Sequence, residues 1–158
     1  MSPGRNHPVG AARAATTVQD AAAALGDIPL FAPLSRRQRT KVARLGVGQQ
    51  FRPGAHINTT GTPGIAAYIV LEGRCEVSTG RGRPRREIGP GAIIGELALL
   101  DGAARSATVV ARTEVRTLCL GRRGFLKLLR DEPAVALAII AALGQRLRAA
   151  ESQAASTN

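Results

Sequence analysis

The sequence predicts a mainly-β fold, a small barrel or sandwich with helices on both sides, and three observations predict it. Between residues 47 and 120 short alternating runs recur (QQFRPG, AAYIVLEG, RCEVSTG, REIGPG, SATVVAR and EVRTLCLG). Gly or Pro turn signals separate them about every ten residues, the spacing of an all-β domain. Outside that interval the period changes to the three- and four-residue steps of helices, before residue 47 and again after residue 120.

Taken in order, residues 1–16 (MSPGRNHPVGAARAAT) are small, polar and rich in Pro and Gly, and are expected to form a disordered tail. Residues 17–46 form the N-terminal helical segment. VQDAAAALG holds a short Ala-rich helix ending near Gly26. Ser35 and Gln38 have capping-box spacing, and Leu34 stands where a staple residue would. That predicts a helix over 36–45, with Gly46 as its stop. Residues 47–120 are the barrel. Residues 121–153 hold two helices, RRGFLKLLRDE and a longer one entered through Pro133, and 154–158 are a tail. No repeat of 20–50 residues is present.

Composition narrows the function classes. The chain has 158 residues, 44% hydrophobic but only 3% aromatic, so Leu, Ile, Val and Ala must build the core. A net charge of +11 favours an anionic partner without choosing among nucleotide, nucleic acid and lipid surface. Cys75 and Cys119 are too few and too far apart for a metal site and read as free thiols in a reducing cytoplasm. No uninterrupted run of 18 apolar residues occurs, so no membrane span is expected, nor is a secretory leader. His7 and His56 converge with no nucleophile, so no catalytic residues, no metal and no enzyme activity are expected.

The stretch with the most chemistry is GELALLDGAARSATV, residues 95–109. Gly95 permits a close backbone approach or a dihedral that other residues avoid. ELALL can form one helical turn, whose first N–H groups are unpaired donors. Arg105 can hold a phosphate through two parallel hydrogen bonds, and Ser106 can add a third. Glu96 is an acceptor and suits a sugar hydroxyl. Two readings stand: Glu96 and Arg105 pair with each other on a barrel rim, or they read two ends of one sugar phosphate.

GELALL, four residues, then RSATV resembles the phosphate-binding cassette of cyclic nucleotide-binding domains, the family shared by catabolite-type regulators, cyclic-nucleotide-gated channels and cyclic-nucleotide-dependent kinases. The resemblance runs from about Ile28 to Glu151 and includes PLFAPLS, FRPGAHINTTGTPGIAAYIVLEGRCEVS and FLKLLRDEPAVALAIIAALGQRL. It implies a double-stranded β-helix (jelly-roll) barrel with N-terminal helices and two C-terminal helices. The cassette would span 95–108. Gly95 and Glu96 would meet the ribose. The backbone N–H groups of Leu97 and Ala98, with Arg105 and Ser106, would meet the cyclic phosphate. The chain departs from the family pattern in STGRGRPRR, with Arg81, Arg83, Arg85 and Arg86, and at Asn58-Thr59-Thr60, where the family often has a charged residue. Both departures are expected to lie away from the cassette.

The base needs a separate cover. The last helix has an apolar seam of Val135, Ile139, Ala142, Leu143, Leu147 and Ala150, and Arg146 falls on it. A guanidinium can stack on a purine, so Arg146 and Leu143 are the candidate base lid. Some bacterial channel members of the family are similar here. Arg146 at the seam's edge, reaching water, is the competing reading. The expected function is a sensor of a cyclic nucleotide, cAMP by the similarity of Ser106 to bacterial cAMP sensors, with cGMP left open by its hydroxyl. The last helix would move on binding. The partner would be an effector protein or fused domain, with the chain a monomer or homodimer. The alternatives are a basic protein that binds nucleic acid or a membrane surface, and a domain of the same fold that binds nothing.

Overall fold

The structure is a computed structural model and describes residues 11–12, 16–80 and 82–156. Arg81 and most of the segment read as a tail therefore lie outside the described residues. Two helices precede the barrel, α1 (Val18–Gly26) and α2 (Arg36–Leu45). Both open with reciprocal capping boxes. Thr17 Oγ1 accepts from the Asp20 N–H at 3.1 Å, and Ser35 Oγ accepts from the Gln38 N–H at 3.2 Å while Gln38 Oε1 accepts from the Ser35 N–H at 2.8 Å. Gly46 ends α2 as expected. Its backbone is extended (φ −122°), and a Cβ there would meet the Cys119 carbonyl oxygen at 2.7 Å. Glycine is needed so that the helix end can lie against the barrel.

The barrel is an antiparallel jelly roll of two sheets, with every strand partner in antiparallel register. Strands β1 (Ala11–Ala12), β2 (Val47–Phe51), β9 (Val115–Gly121), β4 (Ala66–Glu72) and β7 (Ile93–Ile94) form the first sheet in that spatial order. Strands β3 (His56–Asn58), β8 (Thr108–Ala111), β5 (Cys75–Ser78) and β6 (Arg86–Ile88) form the second. The six alternating runs became β2, β4, β5, β6, β8 and β9. Strands β1, β3 and β7 are only two or three residues long and carry no period of their own; β1 falls inside the segment read as a tail.

β4 shows how one strand serves two cores. Alternate residues point to opposite faces. Ala67, Ile69 and Leu71 pack against the helices with Phe31, Phe125 and Leu128, while Tyr68 and Val70 pack inside the roll with Phe51, Val109 and Val115. Both faces are covered, so the run AAYIVL is apolar throughout.

After the barrel come α4 (Arg122–Asp131) and α5 (Pro133–Ala155); α3 (Glu96–Asp101) is the single turn within the cassette. Glu132 joins α4 to α5. It is buried and accepts from Gln38 Nε2 at 3.1 Å, so the capping glutamine of α2 also ties down this junction. The seam of α5 is buried only at its start, at Val135 and Ile139; Leu143 is half-buried, and Leu147 is 61% exposed. At 23 residues with a window mean hydropathy of 1.3, α5 is long and apolar enough by length and composition to cross a membrane. Counting only uninterrupted apolar residues missed this, because Gln145 and Arg146 break the run without offsetting the average. Its packed residues attach it to the domain as a closing helix.

Candidate functional site

The cassette lies where β7 leaves the first sheet. Gly95 follows β7 with φ +83°, a left-handed conformation that favours glycine. A Cβ there would overlap Arg105 Nη1 and lie 3.1 Å from the Ala66 carbonyl oxygen. The guanidinium of Arg105 thus fills the space that a side chain at 95 would take. α3 then turns the chain, and the Asp101 carboxylate accepts from the Ala103 N–H at 2.9 Å. The backbone of Arg105 is held from outside the cassette: its N–H donates to the Thr62 carbonyl and its carbonyl accepts from the Gly61 N–H, each at 2.9 Å.

Arg105 is 6% exposed and has no acidic partner among the described residues. Its Nη1 is buried without a hydrogen bond, and its Cζ lies 6.0 Å from the centre of the Tyr68 ring, within reach of a cation–π contact. Burial pulls the guanidinium below its ordinary pKa, while Tyr68, Cys119 and Glu96 act in the opposite direction. It stays cationic. A buried cation without an ion-pair partner among the described residues and with a spare donor is expensive in a protein interior and is relieved by an anion.

Glu96 is 3% exposed. It does not pair with Arg105. Its Oε1 accepts from Arg146 Nη2 of α5 in a very short contact. The rim pairing of the two cassette charges is thereby excluded: Arg146, the candidate base lid, is paired here with Glu96, the residue expected to meet the ribose. Gly95, Glu96, Ser106 and Arg146 line one cavity of about 60 Å³, together with Asn58, Arg86 and an apolar wall that includes Val77, Ile88 and Val109. Arg105 is not among the residues lining this cavity; its guanidinium lies against Gly95, which is. Leu97 and Ala98 form the first turn of α3, and their side chains lie outside the description. Leu143 packs against the helix cluster rather than lining the cavity.

The departure at Asn58-Thr59-Thr60 touches the cassette, contrary to expectation, and the arginine-rich departure reaches the same cavity. Asn58 Nδ2 donates to the Ala107 carbonyl at 3.1 Å, and the Thr60 N–H donates to Thr108 Oγ1 at 3.0 Å. Arg86 lines the cavity from β6. Sequence reasoning treated both as remote because nothing local shows that β3 pairs with β8. It also passed over Tyr68, whose one signal was being the sole tyrosine in the chain.

The cysteines are unpaired thiols. Burial raises Cys75 and Cys119 to about 11 each, with Arg105 partly opposing the shift at Cys119. Both are neutral and unreactive near neutrality. A raised thiol pKa means that folding favours the neutral form. That stability is complete below the ordinary value of 9.0 and is lost as pH rises towards about 11. For the fully buried Cys75 the loss amounts to roughly 2–3 kcal/mol. Urea midpoints of the wild type are therefore expected to fall more steeply between pH about 8 and about 10.5 than those of Cys75→Ala. Among the described residues, no group of three or more His, Cys, Asp or Glu is placed to hold a metal ion.

Comparison with known proteins agrees with this geometry. The family model for the cyclic nucleotide-binding domain matches residues 48–132. A cAMP-dependent protein kinase regulatory subunit from Colletotrichum orbiculare is 36% identical over 106 residues, covering 66% of this chain and 27% of the relative. A cyclic nucleotide-gated potassium channel from Mesorhizobium japonicum is 37% identical, covering 69% of this chain and 30% of the relative. The chain thus spans under a third of the length of these relatives. The crystal structure of the Thermus thermophilus catabolite activator protein superposes with a TM-score of 0.70 at 33% identity, over 79% of this chain and 61% of that one. The matched segment includes the whole cassette and takes up more than half of the sequence, and the chain belongs to the cyclic nucleotide-binding domain family.

Proposed function

We propose that this domain is a cAMP sensor in which the closing helix α5 responds to the ligand. The observation that carries the reading is the buried Arg105, cationic, with an unpaired Nη1 packed on Gly95 beside the cavity. The cyclic phosphate supplies the missing anion through Arg105, helped by Ser106 and the first N–H groups of α3 at Leu97 and Ala98. The ribose hydroxyl donates to Glu96, and Gly95 lets the sugar approach the backbone. The relative named as a cAMP-dependent kinase subunit and the serine at 106 support adenine as the base.

Arg146 has two positions in this reading. In the conformation described here it holds Glu96, and the cavity of about 60 Å³ is far below the roughly 300–1,000 Å³ of small-molecule sites. The ribose therefore competes with Arg146 for Glu96. Once released, the guanidinium is free to cover the base, with Leu143 beside it. Ligand binding exchanges one set of contacts of α5 for another, and this is what moves the helix. A fused domain or partner protein reads that movement, in keeping with relatives more than twice as long as the chain.

Replacing Arg146 by alanine leaves Glu96 buried and unpaired. The arginine is 42% exposed, so the cost to the ligand-free domain is discounted to about 1–2 kcal/mol, below that of a fully buried pair. Calorimetric titration with cAMP tests the whole reading. Wild type is expected to bind one cAMP per chain, and Arg146→Ala to bind with a changed enthalpy because the exchange at Glu96 is gone. Absence of cAMP binding by the folded wild type would refute the reading.

A further inference from the structure

We infer that Asn58 reads the purine base, accepting a hydrogen bond from its exocyclic amine through Oδ1; the inference rests on the cyclic-nucleotide reading of the cavity. Asn58 is 6% exposed and lines the cavity. Its Nδ2 donates to the Ala107 carbonyl at 3.1 Å, and this decides the orientation of the amide. The reversed amide would set Oδ1 against a carbonyl oxygen, acceptor against acceptor. With the donor end used, Oδ1 remains a buried acceptor without a partner among the described residues. Buried polar atoms are nearly always satisfied, and one left open on the wall of a binding cavity calls for a donor from the ligand.

The register of the second sheet says what that donor belongs to. Asn58 opposes Val109, Val109 opposes Val77, and Val77 opposes Arg86. Directly opposed residues share a face, so these four form one row across β3, β8, β5 and β6. Two valines make a flat apolar floor between an unpaired acceptor and a guanidinium. The other acceptors on the cavity wall already have tasks. Glu96 takes Arg146 or the ribose, and Ser106 adjoins the phosphate site. A nucleotide gripped at Arg105 and Glu96 presents only its base to this row, and the donors of a purine base are its ring N–H and exocyclic amine groups. An amine-bearing base satisfies Oδ1, while one lacking the amine leaves it buried and unpaired. A site built to hydrogen-bond a group discriminates strongly against analogues without it.

The test removes the amine from the ligand and the acceptor from the protein. Affinities of wild type and Asn58→Leu are measured by calorimetry for two pairs. One pair is cAMP and purine riboside 3′,5′-cyclic monophosphate, and the other is cGMP and cyclic IMP. In wild type, loss of the amine is expected to weaken binding about tenfold or more in at least one pair. In Asn58→Leu the members of that pair should bind within about twofold of each other. A response in the cAMP pair sets the 6-amine against Asn58, and a response in the cGMP pair sets the 2-amine there; either supports the inference. Equal binding within both pairs by wild type overturns it, as does a preference that survives in Asn58→Leu. The wild-type comparison stands even if the variant fails to fold. Failure of folded wild type to bind any of the four ligands overturns the cyclic-nucleotide reading and this inference with it.

Discussion

Replacing Arg105 with alanine is expected to remove most of the affinity for a cyclic nucleotide while leaving the domain folded. The two effects part because the arginine contributes little to the ligand-free fold. It is buried without an acidic partner among the described residues and with one nitrogen unsatisfied, so its desolvation is not recovered by pairing. Alanine removes that penalty but leaves a space beside Gly95 and Tyr68, and the terms offset to within about 1 kcal/mol. Binding has no such offset. A phosphate held in a low-dielectric site loses its charge-assisted bonds, at a cost of roughly 2–5 kcal/mol, or thirty-fold and more in Kd. Arg105→Lys keeps the charge but loses the planar fork, and is expected to restore only part of the affinity. Calorimetry and thermal unfolding of the same samples measure both quantities.

Gly95→Ala is expected to damage stability and binding together. The left-handed backbone at 95 costs roughly 1–3 kcal/mol for a residue with a Cβ. The new methyl would also overlap Arg105 Nη1 and press on its Cζ at 3.0 Å. Only the guanidinium can give way, since the other neighbour is the Ala66 carbonyl of β4, backbone that is paired with β9. The arginine is then displaced from the position in which it faces the ligand. The affinity of Gly95→Ala is expected to fall at least as far as that of Arg105→Ala, with a lower melting temperature as well. A variant that melts lower but binds cAMP normally would separate the glycine from the site.

The sequence was legible where the physics is local. Ser35 and Gln38 foretold the start of α2 because a capping box is made within four residues. The alternating runs foretold six strands because each has a period of its own. The cassette was legible because its glycine, acid and arginine act within one loop. What depends on pairing distant segments was not legible. The polar turn from Asn58 to Gly61 looks like a solvent loop until β3 pairs with β8 and brings it against Arg105, Ala107 and Thr108. The partner of Glu96 lies 50 residues away on another helix, so the spacing of Glu96 and Arg105 left their pairing with each other as one of two readings and could not show Arg146. Gly46 was placed correctly as the stop of α2, but its need, the nearby Cys119 carbonyl on β9, lies outside its own segment.

Thermal unfolding of wild type and Arg105→Ala with cAMP, cGMP or AMP tests the central claim most directly. At a ligand concentration a hundred times Kd, binding to the folded state alone adds about 2.7 kcal/mol. For a domain of this size that is a rise of roughly 5–10 °C. Wild type is expected to rise by this amount with cAMP, less with cGMP and not with AMP, and Arg105→Ala not to respond under the same conditions. A wild-type melting temperature unmoved by any cyclic nucleotide, or an equal rise with cAMP in Arg105→Ala, would contradict the account.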